Sequence, residues 1–166
     1  MGHLVSTVKL AKLRIDRGER LSITVLIMKL PFDKKVSSYT SMLSESSDSR
    51  IRFLDLKPGE SSSQSTFSSA FLYHFIDNHK SSVRDILAEM TNSASSDLAG
   101  VVIDMFCTSM IDVANEFGVP SYIFYTSGAA MLGLVLHMQS LRADFNEDVT
   151  NYKNSDVELA IPTYIN

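Results

Sequence analysis

Two side chains far apart in the sequence could do acid–base chemistry together, His3 and Asp104. His3 falls in the first turn of an opening helical pattern, where the positive end of a helix dipole disfavours an imidazolium. An imidazole that stays uncharged near neutral pH can take a proton as a general base. A carboxylate at the end of a neighbouring strand can hold the other ring nitrogen and balance the charge that develops. Each residue also has an ordinary reading: a histidine near a terminus is often solvated, and an aspartate after a strand often caps a helix. Only the fold can bring the two together.

The unit that must deliver Asp104 runs from Gly100 to Ala129. Gly100-Val101-Val102-Ile103 is a short apolar, β-branched run between polar Ser95-Ser96-Asp97 and Asp104, which predicts a buried parallel strand. Met110, Val113, Ala114 and Phe117 then recur at helical spacing, with Gly118 and Pro120 closing the helix. Ser121 to Tyr125 reads as a second strand, and Thr126-Ser127-Gly128 as a turn into another apolar helix. Strand, helix, strand in about thirty residues is a right-handed βαβ crossover. Open α/β sheets bind ligands beyond the carboxyl ends of their strands, where Asp104 and Thr126 fall.

The element that must position His3 is the opening helix, with Leu4, Val8, Ala11 and Ile15 on one face and Lys9, Lys12 and Asp16 on the other. Ile23 to Met28 predicts a buried strand. Lys29 to Ser49 is mostly loop, with a weak helix over Val36 to Leu43, and Ile51 to Asp55 is a short strand. Lys57 to Ser69 is a surface loop. From Ala70 to Met90, the residues Phe71, Phe75, Val83, Ile86, Leu87 and Met90 predict one long helix. Thr91 to Asp97 links it to the central unit, Ala129 to Leu141 is an apolar helix, and residues 146–166 form a polar tail after a domain of residues 1–145. Alternating strands and helices predict an α/β fold with a Rossmann-like, doubly wound parallel sheet. Such a domain normally starts with the central strand, whereas this sequence starts with the helix that should follow it. The sheet is therefore expected to lack its first central strand and to leave two neighbouring edges unpaired, with poor solubility or a partly molten state as the consequence.

Composition narrows the classes. At 166 residues the chain has the size of one ordinary domain. Nineteen acidic against fifteen basic residues leave no basic block of the kind that grips nucleic acid. The lone Cys107 excludes an internal disulfide and fits a reducing compartment, hence a cytoplasmic protein. No run is long enough to cross a bilayer, so no membrane insertion is expected. A nicotinamide-binding enzyme is disfavoured, because no G-x-G-x-x-G follows a strand.

These residues carry a resemblance. Met1-Gly2-His3-Leu4 with Ala11-Lys12-Leu13 resembles the first loop and helix of plant family 1 UDP-glycosyltransferases, in which Pro-Gly-x-Gly-His-x joins the first strand to the first helix. Ser82-Val83-Arg84-Asp85 resembles part of the long helix. Val102 to Phe106, Glu116 to Pro120 and Phe124 to Ser127 are similar to the family throughout, closest to its flavonoid and terpenoid glucosyltransferases. The resemblance implies the N-terminal, acceptor-binding half of a GT-B fold. By position it implies His3 as the base that deprotonates the acceptor hydroxyl, Asp104 as the aspartate that orients it, and Thr126 as a donor-sugar contact. Met105, Phe106, Phe71 and Phe75 either line an apolar acceptor pocket or belong to the core. The implied reaction is inverting transfer of glucose from UDP-glucose, a co-substrate, to a small hydrophobic hydroxylated plant metabolite, with no metal and no bound cofactor. The family's Trp-initiated donor box has no counterpart, since the sequence has no Trp. The chain is thus expected to be a fragment that is inactive alone; the alternative is a non-catalytic remnant or a binding module that keeps the acceptor cleft.

Overall fold

The computed structural model describes residues 2–30, 38–40, 42–43, 48–57, 69–93, 97–153 and 156. They fall into two compact units, Met1–Phe124 and Tyr125–Asn166. In the first, helix α1 (Gly2–Arg17) buries Val8, Ala11 and Ile15, three members of the face predicted from their spacing. Its last carbonyls are tied down by Arg50, whose Nη1 donates to the carbonyls of Ile15 (3.3 Å) and Gly18 (3.1 Å). Asp48 aims that guanidinium by accepting from its Nε and Nη2.

Strands β1 (Ile23–Ile27) and β2 (Ile51–Asp55) pair in parallel, from Ile23 opposite Ile51 to Ile27 opposite Asp55. Alternation along β1 splits its side chains between two layers. Ile23, Val25 and Ile27 pack with Ala11 and Ile15 of α1, while Leu26 and Met28 join a second cluster. Both faces of β1 therefore pack against apolar neighbours, as its unbroken apolar run predicts.

The long helix expected over residues 70–90 is two helices, α2 (Ser69–Asp77) and α3 (Lys80–Asn92). The break has a local cause. In a continuous helix the carbonyl of Phe75 would accept the N–H of His79. Here it accepts the imidazole Nδ1–H of His79 instead, at 2.7 Å, and the His79 amide turns to the Ile76 carbonyl at 2.9 Å. The side chain displaces its own backbone from the ladder, and the chain bends at Asn78-His79. Apolar periodicity continues across the bend, because Ile76, Val83 and Leu87 all bury into one cluster, so periodicity alone cannot reveal it.

Strand β3 (Val101–Asp104), helix α4 (Met110–Glu116) and strand β4 (Ser121–Phe124) follow as expected, with β3 and β4 parallel. Gly118, at φ 64°, takes the left-handed position that ends α4. Ile103, Met110 and Val113 complete the second cluster with Leu56, Ile76, Val83 and Leu87. Among the described residues the strands form two parallel pairs, with no ladder joining β1–β2 to β3–β4. The expectation that β3 is buried on both faces holds for one face only: Val102 and its partner Tyr122 are 57% and 59% exposed.

The second unit contains helix α5 (Ala129–Asp144), apolar as predicted but with no buried residue. A 3₁₀ turn (Val149–Tyr152) follows, opened by Asp148, whose carboxylate accepts from the amide and hydroxyl of Thr150. Residues 38–40 and 42–43 are helical, in line with the weak helix expected there. Much of the loop over Lys29–Ser49, the loop centred on residues 58–68 and most of the tail beyond Lys153 lie outside the described residues.

Candidate active site

Helix α1 begins at Gly2 and strand β3 ends on Asp104. Their ends meet: His3 Nδ1 lies 2.7 Å from Asp104 Oδ2. The His3 side chain is 45% exposed and that of Asp104 21%, so the pair is open to a dissolved reactant yet partly screened from solvent. An ionised carboxylate only accepts, so Nδ1 carries the proton of this bond. In the uncharged ring the lone pair then belongs to Nε2.

Asp104 is itself held by the turn that follows the strand. Its Oδ1 accepts the amide N–H of Phe106 at 3.0 Å, and its carbonyl accepts that of Cys107 at 2.8 Å. The two carboxylate oxygens thus have separate duties, one to the backbone and one to His3. The Phe106 ring lies against the imidazole with centroids 5.0 Å apart and planes tilted by 36°, and Phe106 is 52% exposed. On the helix side, the His3 carbonyl accepts the Thr7 hydroxyl at 2.9 Å.

Neighbouring Cys107 offers no second nucleophile. Burial, followed by the Asp104 charge, pushes its thiol up to about 11, so it stays protonated near neutral pH. Among the described residues no group of three His, Cys, Asp or Glu side chains is placed to hold a metal ion, and no helix is long and apolar enough to cross a membrane.

The structure therefore brings His3, Asp104 and Phe106 together, with half-buried Met105 in the same turn. Phe71 and Phe75 stack on each other along α2 at 6.1 Å. Phe75 also meets His79 edge-on at 4.7 Å and packs against the main core cluster, so it serves the core. Thr126 lies in the second unit, half-buried in the turn between β4 and α5. What the sequence reading missed is the double engagement of Phe106 with both members of the pair. A signal for half of it was present, since aspartate at the end of an element commonly accepts the amide two residues on.

No family model matches the chain. Over its whole length it is 48% identical to a UDP-glucose flavonoid 3-O-glucosyltransferase of Fragaria ananassa, covering 35% of that protein. It is 46% identical to an anthocyanidin 3-O-glucosyltransferase of Manihot esculenta, again over its full length and 37% of the relative. Among solved structures, a UGT transferase of Siraitia grosvenorii in complex with UDP superposes with a TM-score of 0.79 at 35% identity, over 99% of this chain and 34% of that one. A Medicago truncatula UGT complexed with UDP-glucose gives a TM-score of 0.73 at 34% identity, over 100% and 35%. The chain spans about a third of the length of the curated relatives it matches. The fold is that of the Rossmann-like N-terminal half of a GT-B glycosyltransferase.

Proposed function

We propose, from the premise that this chain is homologous to the plant UDP-glycosyltransferases over about a third of their length, that it carries the acceptor-activating side of an inverting glucosyl transfer. The substrates are UDP-glucose and a hydroxyl of a small flavonoid-like metabolite. The observation that carries this reading is the 2.7 Å bond between His3 and Asp104 at the end of β3.

The steps follow from which nitrogen is engaged. With Nδ1 donating to Asp104, Nε2 accepts the proton of the acceptor hydroxyl as its oxygen attacks the anomeric carbon of the sugar. The C1–O bond to UDP breaks, UDP leaves with the electron pair, and the anomeric configuration inverts. The ring is then an imidazolium, and the Asp104 carboxylate faces its Nδ1–H to offset the new charge. No bound cofactor takes part, since the nucleotide sugar is itself the second substrate. Exposed Phe106 and half-buried Met105 border the place where an aromatic acceptor must approach His3, whereas Phe75 is assigned to the core. Thr126 is assigned to the donor sugar. Most donor contacts lie outside these 166 residues, so transfer by this polypeptide alone is not expected.

Two measurements on the chain test this reading. A flavonoid titrated against it should bind saturably, perturb the His3 ring signals and raise the melting temperature; absence of all three would leave a non-catalytic remnant. UDP release from UDP-glucose and a phenolic acceptor should be undetectable. Release that disappears in His3→Ala would keep the base assignment and overturn the expected inactivity.

A further inference from the structure

We propose that β1 and β3 border a slot that takes one extended, apolar peptide strand donated by a separate polypeptide. The hydrogen-bond phase of each ladder carries the inference. The Ile23 amide donates to the Arg50 carbonyl and the Ile27 carbonyl accepts from the Leu56 amide, so Ile23, Val25 and Ile27 turn their main-chain groups to β2. Alternation then points the amides of Thr24 and Leu26 out of the opposite edge. In β3 the Val101 amide donates to the Pro120 carbonyl at the start of β4, so the amides of Val102 and Asp104 point away from β4. Among the described residues neither of these two edges has a ladder partner. Main-chain groups inside a domain are nearly always paired, and Leu26 is half-buried. Two such rows of donors call for a strand.

The two edges belong to one body and run the same way. Arg50, just before β2, donates to the Ile15 and Gly18 carbonyls at the end of α1, so α1 runs opposite to β1 and β2. The start of α1 meets the end of β3 through His3 and Asp104. The carboxyl ends of β1, β2 and β3 therefore lie on one side. Leu26 and Met28 share an apolar cluster with Val101 and Ile103, although no ladder joins their strands. A strand between them would complete a parallel sheet, with that cluster on one face and the side of α1 on the other. It would also give a neighbour to Val102, which is 57% exposed on the face opposite Ile103. Covered on both faces, the occupant must be apolar in both phases, as β1 is. Strands of five and four residues border it, so it spans about 13–17 Å. Apolar runs of this kind among the described residues already sit in strands or helices, so a second folded copy has none to donate. Completion of a sheet by a donated strand is a recurring mode of peptide recognition.

Amide hydrogen exchange of the whole isotope-labelled chain, followed by NMR, tests the slot. The probe is a synthetic peptide with the Ile23–Ile27 sequence, extended by lysines at both ends for solubility. The control peptide has proline in place of the central valine, which removes a main-chain donor. In the chain alone, the amides of Thr24, Leu26, Val102 and Asp104 should exchange faster than those of Val25 and Ile103, which face ladder partners. At a peptide concentration about ten times the Kd read from the same titration, the four should slow about tenfold, with a saturable rise in melting temperature. The proline peptide should produce neither change. Four amides already as slow as their paired neighbours without peptide would overturn the slot, because both edges would then be covered. No slowing at about 1 mM peptide, or equal slowing with the proline peptide, would overturn strand addition.

Discussion

Replacing His79 by alanine tests whether a side chain divides α2 from α3. His79 is 1% exposed, and its Nδ1–H fills the Phe75 carbonyl at 2.7 Å. Removing a buried donor that leaves its carbonyl unsatisfied costs about 1–3 kcal/mol. The edge-on contact with the Phe75 ring, at 4.7 Å and 60°, adds about 0.5–1.5 kcal/mol. Against this, His79 Nε2 is buried with no hydrogen-bond partner among the described residues, and deleting it recovers about 1 kcal/mol. The balance is a loss of about 0.5–3.5 kcal/mol. Urea unfolding of parent and variant, with equal m-values, would measure it directly. The competing outcome is specific: alanine frees the residue 79 amide to take the Phe75 carbonyl and fuse the two helices. A gain in helical circular dichroism would support the argument that the imidazole imposes the break; a loss below about 0.5 kcal/mol with unchanged helical signal would refute it.

Further expectations rest on single residues. Gly118→Ala meets no atom within 4 Å but keeps φ at 64°, so the cost is conformational alone, about 1–2 kcal/mol by chemical denaturation; no measurable loss would mean that the α4 end relaxes. Cys107, with its thiol pushed up to about 11, should react with a thiol reagent at pH 8 far more slowly than the same chain in denaturant. The fold favours the protonated thiol, so this contribution to stability is complete below the ordinary thiol range and is lost as pH rises towards about 11; equal rates in folded and denatured chain would contradict it. The Asp48 carboxyl is held at about 2, first by the Arg50 side chain and then by the Arg50 amide. Its contribution is present above the usual carboxylate range and fades as pH falls towards about 2. In Arg50→Ala the titration midpoint seen by carbon NMR should move up towards 3.8, and a midpoint that stays put would assign the depression to another group.

The legible parts of the fold are those in which one physical signal acts alone. The Val8, Ala11 and Ile15 stripe gave α1 because a helix with one buried face needs that spacing. Ile23 to Ile27 gave a strand covered on both sides because apolar residues run through both phases of the alternation. Gly118 marked the end of α4 because glycine adopts the left-handed position at low cost. The break at His79 was hidden, since it depends on a side chain competing with the backbone for one carbonyl while the apolar period continues. The exposed face of Val102 and Tyr122 was hidden as well. A β-branched run reports what a strand can bury and is silent on whether a neighbour covers it.

At the site, His3 and Asp104 were readable as residue types able to form a base and its orienting acid. Their meeting at 2.7 Å across 101 positions is a product of tertiary structure. The grip of Phe106 on both was out of reach, because it combines a backbone bond two residues away with a ring contact to another element.

Kinetics of His3→Gln test the central claim most directly, in this chain joined to the remaining two-thirds of the Fragaria ananassa relative. Glutamine keeps polarity and approximate size but cannot take up a proton. If His3 is the base, kcat/KM for UDP-glucose-dependent glucosylation of a flavonoid should fall by about 10²–10⁴-fold while UDP-glucose affinity is retained. A variant within about threefold of the parent fusion would contradict the account and leave the His3–Asp104 bond a structural one.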